Sequence, residues 1–290
     1  MSLESPRINL LPMAGQGSRF FEEKYRVPKP FVPVRGRPMF LTAAASFPPA
    51  DHTIFLAQAE HLEKYRVAEL VEAAERPDVS GVEAQFPKEK GLFSHTIVPV
   101  HTATEGQACT CLLAEDHLPR QARLFIASCD YEMVYDREAY EALAADPTVD
   151  VIIWTFKIGA IKKANPNAFA YCRTDGGRVV EVVEKRTISS TPENDPAVVG
   201  SFSYRTAELF IRGVRQMVAK NIRVNNEFYV GTSINQLIEA GCNVVTFPIE
   251  KFISFGNPYE LMHFEYWEAY FDALPDHPYT MNYGHKRLPK

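Results

Sequence analysis

Residues Leu10 to Val34, LLPMAGQGSRFFEEKYRVPKPFVPV, constrain this chain more than any other stretch. Ile8–Met13 is a short apolar run of the length of a buried strand. Ala14-Gly15-Gln16-Gly17-Ser18-Arg19 then breaks it with two glycines and an arginine. Ten residues beyond Arg19 stands Lys29, held between Pro28 and Pro30. Glycines at a strand's end let backbone N–H groups approach phosphate oxygens, with no Cβ to forbid positive φ. Arg19 adds a bidentate fork and Lys29 a point charge. The pattern suggests a pocket for a triphosphate.

Look-alike motifs fit less well. A dinucleotide fingerprint wants a third small residue where Phe20 stands and an acid near residues 35–39, which hold none. A P-loop needs Gly-Lys-Ser/Thr, which is absent. What remains is L-P-x-A-G-x-G-S-R, a spacer, then P-K-P-F-x-P-V-x-G-R-P-M. This combination resembles the N-terminal signature of the sugar-phosphate nucleotidyltransferases. The resemblance implies a glycosyltransferase-A-like, Rossmann-like α/β fold: a mostly parallel central sheet flanked by helices, with a smaller β-rich acceptor-binding insertion. The plain alternative is a turn with a solvated Arg19 and an exposed Lys29.

Composition agrees with that class. With 290 residues, 46% of them hydrophobic, the chain can bury a large core. It reads as one domain over 1–290, its nucleotide-binding half about 1–160 and its acceptor-binding half about 161–290. A net charge of −5 without long Lys/Arg blocks argues against a general nucleic-acid binder. No apolar run reaches membrane-spanning length, and MSLESPRINLL lacks a signal-peptide pattern, so a cytoplasmic enzyme is expected. The five cysteines, Cys109, Cys111, Cys129, Cys172 and Cys242, read as buried free thiols.

Strand and helix patterns alternate. Strands are expected at Thr53–Ala57, His95–Val100, Ala122–Ser128 and Val149–Phe156. Helices are expected at His61–Arg76, at Gln107–Asp116 after a Thr104/Gln107 capping box, and from Asp136 to Ala145. Pro77–Phe93 reads as a surface excursion. In the second half, Phe169–Arg173 and Arg178–Lys185 form a hairpin about Asp175-Gly176-Gly177. Val198–Tyr204 and Asn243–Phe247 are further strands, and Thr206–Lys220 and Tyr229–Ala240 further helices. Asn257-Pro258-Tyr259-Glu260 is a second capping box. The helix it opens is apolar around most of its circumference, which points to packing, including contact with another subunit in a homo-oligomer.

The resemblance supplies roles for residues along this frame. It implies nucleotide binding by Ala14, Gly15, Gln16, Gly17, Arg19 and Lys29, with His101 and Gly106 at the base. It implies Mg²⁺ on Asp130, which follows an apolar strand as ligand-binding residues of open α/β sheets do. Arg19, Lys29 and Asp130 form the implied catalytic set, and Glu184, Lys185 and Gly200 the acceptor set. Local readings stay open beside these: a turn Asp, a strand-end His101 and an edge-strand charge pair. On RVVEVVEK the residues Val180, Val182 and Glu184 fall on one strand face, so the acid ends an apolar stripe.

Two departures stand out. The family's late D-x-G-T-P is here Ser254-Phe255-Gly256-Asn257-Pro258, so Ser254 replaces a second metal-binding Asp. Asp130 is therefore expected as the only protein carboxylate on the ion, with Glu132 as the rival for a second. Phe169-Ala170-Tyr171-Cys172 replaces a Tyr-Gly loop, and no Asn precedes Gly200. Lys185-Arg186-Thr187-Ile188-Ser189 resembles the capsule and surface-polysaccharide branch. The expected reaction couples a nucleoside triphosphate to a phosphorylated sugar or similar small phosphate monoester and releases pyrophosphate. A glycosyltransferase on the same sheet and a non-catalytic nucleotide-sugar-binding homologue are the alternatives.

Overall fold

The computed structural model describes residues 5–75, 94–159 and 165–274; the excursion expected at 77–93 lies outside the described residues. From the N-terminus the elements are β1 (Arg7–Pro12), α1 (Ser18–Glu22), β2 (Pro33–Val34), β3 (Arg37–Pro38), α2 (Met39–Ala44) and β4 (His52–Gln58). Next come α3 (Ala59–Lys64), α4 (Val67–Glu75), β5 (His95–Val100), α5 (Gln107–Leu112), β6 (Arg123–Ile126), β7 (Tyr131–Val134), α6 (Arg137–Ala145) and β8 (Val151–Phe156). The remainder comprises β9 (Tyr171–Asp175), β10 (Arg178–Val183), β11 (Ala197–Tyr204), α7 (Ala207–Ala219), α8 (Val230–Glu239), β12 (Val244–Pro248), β13 (Lys251–Ser254) and α9 (Pro258–Asp272).

The central sheet is mostly parallel. β5, β4, β1 and β6 pair in parallel order; β11 runs antiparallel between β6 and β8, and β12 continues parallel to β8. The β9–β10 hairpin joins at the first residue of β11, where Ala197 pairs with Tyr171. Both faces are covered, so the inner strands are buried along nearly their whole length and mostly apolar instead of alternating. Leu10, Ile54, Leu56 and Ile126 face one core, under α5, α7 and α8. Leu11, Phe55, Ala57 and Phe125 face the other, with Phe40, Val71 and Trp154. A third, smaller core gathers Phe20, Val32, Val34 and Met39 against Phe255 and Leu261. It seats the N-terminal signature on the start of α9.

Several sequence expectations need correction. The helix expected over 61–76 is two helices, parted at Tyr65-Arg66 where Arg66 adopts φ 50°, and the break leaves Tyr65 stacked on Phe31. The Thr104/Gln107 capping box does not form. Gly106 occupies the cap position, and the Thr104 hydroxyl turns to Thr110 Oγ1 at 2.5 Å. The strand stripe through Val180 is interrupted by a bulge between Val179 and Glu181, which turns Val180 outward (48% exposed) while Val179 and Val182 stay buried. A bulge adds one residue and so reverses the faces beyond it. The short β7–β13 ladder was not anticipated; it pairs Ser254 with Tyr131. Asp136 does cap α6, accepting from Ala139 N at 3.0 Å. α9 packs through Leu261 and Phe264, while Tyr259, Met262, Tyr266, Trp267 and Tyr270 are exposed.

Gly106 shows why one glycine is obligatory. Its φ is +123°, and a Cβ there would lie 2.6 Å from both the N and the O of Phe228. The neighbouring chains are stitched at this crossing by Phe228 N donating to Glu105 O at 2.8 Å and Ala108 N to Phe228 O at 3.0 Å. Gly106→Ala is expected to destabilise by about 2–4 kcal/mol, through backbone strain and overpacking together. Thermal melting checks this, and an unchanged midpoint would contradict the crossing.

Candidate active site

The carboxyl ends of β1, β4, β5 and β6 open on one edge of the sheet, the edge where ligands bind in open α/β folds. After β1, Ala14 to Gly17 form the glycine-rich turn. Gln58, the last residue of β4, holds that turn by donating from Nε2 to Ala14 O at 2.9 Å. Gly17 sits at φ +62°, and a Cβ on it would approach Lys29 Cβ to 3.0 Å. Glycine there serves both conformation and closeness: it brings the second half of the signature against the first. Gly15 differs, since a Cβ would meet nothing within 4 Å. Gly15, Gln16 and Arg19 are exposed, with Ala14 and Gly17 partly so.

Lys29 is not the exposed residue expected from sequence. Its Nζ lies 2.5 Å from Asp130 Oδ2, and the two side chains are only 15% and 20% exposed. Its ammonium lies 5.9 Å from the ring centre of Phe20, a residue of the third core, and meets Asp130 of the β6–β7 turn. Burial pulls the Lys29 pKa down, but the Asp130 charge and hydrogen bond outweigh it and leave the pKa raised. The Arg19 guanidinium is near enough to oppose Lys29's charge weakly. The turn carrying Asp130 is itself fixed. Asp130 O accepts from Phe255 N at 2.7 Å, and Ser128 N donates to Tyr131 Oη at 3.1 Å. Tyr131 Oη in turn meets Ser201 Oγ at 2.7 Å. Gly200, at φ +100°, lies against the Tyr131 ring at the irregular part of β11. Burial pushes the Cys129 thiol up to about 12, reinforced by Asp130 and opposed by Lys29, so it is an inert neighbour.

His101 is exposed at the end of β5, and Gln107 in α5 reaches from that side to Ser128 Oγ at 2.9 Å. The His101–Gly106 loop therefore borders the Asp130 turn. Glu184 and Lys185 follow β10 and lie against α8 instead. A Cβ on Gly231, in the first turn of α8, would collide with Glu184 Oε1. Lys185, at φ 55°, donates to Ala168 O at 2.6 Å and sits 5.6 Å from the Tyr229 ring centre. Burial raises the Glu184 pKa to about 7, with the Lys185 charge opposing the shift.

Sequence reasoning missed Gln58, Gln107, Arg35, Gly231 and Glu260. Arg35, at φ 50°, binds both oxygens of Glu132 at 3.0 Å and Glu268 at 2.8 Å, and lies over the Phe264 ring. Glu132 is thus engaged away from Asp130. Asn257 caps α9 by accepting from Glu260 N at 3.0 Å, but the Glu260 carboxylate accepts from Ser254 Oγ at 2.7 Å. The capping-box spacing was legible, and it hid this second use of Glu260.

Among the described residues no three His, Cys, Asp or Glu side chains gather for a metal ion. Mg²⁺ asks less, since it keeps waters and takes phosphate oxygens with one or two carboxylates. The donors here are of that kind. Asp130 already carries a cationic group, the Lys29 ammonium, and an oxygen-lined cradle opens beside it at Gly256. No described helix is long and apolar enough to cross a membrane.

Glu184 yields a pH prediction. Its folded pKa, about 7, lies above the ordinary 4.5, so the folded protein holds the proton more tightly than the unfolded chain. The stability this provides is fully present below pH 4.5 and is lost as pH rises through 7. Glu184→Gln should match wild type at pH 4.5 and exceed it at pH 8, by on the order of 1–3 kcal/mol. Denaturant unfolding at the two pH values checks this; a difference of equal size at both would place Glu184 in another setting.

No protein-family model matches the chain, and no curated protein matches it in sequence. Solved structures do. A nucleoside-diphosphate-sugar pyrophosphorylase from Vibrio cholerae RC9 aligns with TM-score 0.68 and 22% identity, over 88% of this chain and 98% of that one. The inositol-1-phosphate CTP transferase from T. maritima aligns at 0.64 and 12% identity, over 88% and 91%. A UDP-glucose pyrophosphorylase complexed with UDP-glucose aligns at 0.65 and 14%, over 92% and 99%. The chain has the fold of the sugar-phosphate nucleotidyltransferases along nearly the whole of its described length.

Proposed function

We propose that this protein transfers a nucleotidyl group from a nucleoside triphosphate to a phosphorylated sugar or a similar small phosphate monoester, releasing pyrophosphate. The observation that carries this is the Lys29–Asp130 pair beside the Gly15–Gly17 turn, at the ligand-binding edge of the sheet. A fold alone does not fix an activity, so the site has to bear the argument. Cations and open backbone for phosphate lie next to a carboxylate for a hard metal, and a separate acid–lysine pair lies on the β9–β10 side.

In the reaction an oxygen of the acceptor's phosphate attacks the α-phosphorus. The new P–O bond forms as the α–β bridge breaks, and pyrophosphate leaves with that electron pair. Little covalent chemistry falls to the protein; positioning and charge neutralisation do most of the work. Arg19 and the Ala14–Gly17 backbone steady the β- and γ-phosphates. Lys29 turns from Asp130 to the α-phosphate, where negative charge develops. Asp130 is the residue that would hold Mg²⁺, and the ion would supply neutralisation of phosphate charge there. His101 and the Gly106 loop flank the base, while Glu184, Lys185 and Gly200 orient the acceptor. A role in surface-polysaccharide precursor synthesis in the cytoplasm is the biological setting we infer from the Lys185–Ser189 run.

The test is a pyrophosphate-release assay with CTP, UTP, dTTP and GTP against a panel of sugar and polyol phosphates. Turnover with one pair is the expected result; nucleotide-sugar hydrolysis or transfer without pyrophosphate would overturn it in favour of a glycosyltransferase. With the productive pair, Lys29→Ala should lower kcat on the order of 10²-fold or more. It should also cost about 1–3 kcal/mol in stability, because Asp130 loses its partner in a mostly buried setting. An unchanged kcat would remove Lys29 from the chemistry. Lys29→Arg should restore stability better than turnover, since fork and point charge differ in reach.

A further inference from the structure

We propose that Glu260 supplies the second protein oxygen for the divalent cation beside Asp130, replacing the carboxylate that position 254 lacks. The inference rests on the metal-dependent reading above and names a ligand that reading leaves open.

Three oxygens from three residues converge at Gly256. A Cβ on that glycine would lie 3.2 Å from Asp130 Oδ2, 3.3 Å from Glu260 Oε2 and 3.3 Å from Ser254 Oγ. Gly256 is not in the left-handed region, so conformation does not demand glycine there. What its missing side chain provides is space, lined by two carboxylates and a hydroxyl. Backbone bonds aim the lining. Ser254 lies opposite Tyr131 in the β7–β13 ladder, one residue from Asp130, and Phe255 N ties to Asp130 O at 2.7 Å. Glu260 is oriented by its own N–H on the Asn257 cap and by Ser254 Oγ on Oε2. The longer Glu side chain, sent back from the first turn of α9, thus reaches the place that a short acid on β13 would occupy.

Glu132 and Glu268 are both bound by Arg35. The Lys29 ammonium already sits on Asp130 Oδ2, the same oxygen that faces Gly256. When Lys29 moves to phosphate, that oxygen is left needing positive charge. A hydrated Mg²⁺ touching one oxygen of each carboxylate meets its usual preference for one or two protein acids plus water and phosphate. Ser254 then acts as a positioning residue for Glu260, as hydrogen-bonded partners of ligating carboxylates do.

The experiment is binding of Mn²⁺ by electron paramagnetic resonance, titrated in the presence of CTP, UTP, dTTP or GTP in turn, with no acceptor and no turnover. Glu260→Gln keeps the size and the Ser254 bond and removes the charge. Its Mn²⁺ affinity in the nucleotide complex should fall about tenfold or more, and Ser254→Asp added to it should recover most of the loss. Glu260→Asp, which keeps the charge and shortens the reach, should also weaken binding and serves if Glu260→Gln does not fold. Wild-type affinity in both Glu260 variants would overturn this inference alone. Wild-type protein that binds nucleotide but holds no Mn²⁺ would overturn it too, and failure to bind any of the four nucleotides would overturn the functional reading with it.

Discussion

The ion pair between Lys29 and Asp130 is the contact on which the site depends. It joins positions 101 residues apart, and it does so mostly out of water. Burying either charge alone would be costly, so each fixes the other in place. The pair forms only because Gly17 lets the first half of the signature close onto Lys29, and because the β6–β7 turn presents Asp130. That turn is tied to Tyr131, Ser201 and Phe255, which brings the middle and the end of the chain to the same point.

The start of α9 is tied into the same join. Its first turn packs Leu261 into the core that seats Phe20, Val32, Val34 and Met39. Arg35 reaches across from the β2–β3 turn to Glu132 and Glu268, in a backbone conformation that few non-glycine residues adopt. Such a strained arginine persists because three elements meet on it. A helix near the C-terminus thereby sets the position of an N-terminal loop, and Glu260 stands at that join.

The surroundings of Glu184 are built on different principles. Glu184 is partly buried beside Lys185 and against the first turn of α8, and the loss of water around it lifts its pKa to about 7. That differs from the Lys29 side, where a close opposite charge overrides burial. Perturbed acids of this kind mark places where a ligand completes the environment.

Sequence alone specifies the strands, because strands buried on both faces need mostly apolar runs, and Ile8–Met13, Thr53–Ala57 and Val149–Phe156 are such runs. It also determined the caps Asp136 and Asn257, and the signature with Arg19 and Lys29, since these are local chemistry written in consecutive residues. What it left open were long-range partners. Nothing near Lys29 in the sequence announces Asp130, and nothing near Gly106 announces the Phe228 backbone that makes glycine obligatory. The bulge at Val180 was illegible because one inserted residue depends on pairing with β9, not on composition. Glu260 reads as a capping residue because its spacing from Asn257 is a local signal. Its carboxylate's destination at Ser254, beside Asp130, was decided by the β7–β13 ladder. Local propensity fixes which elements form, and only the packing of elements distant in sequence decides which charges share one cavity.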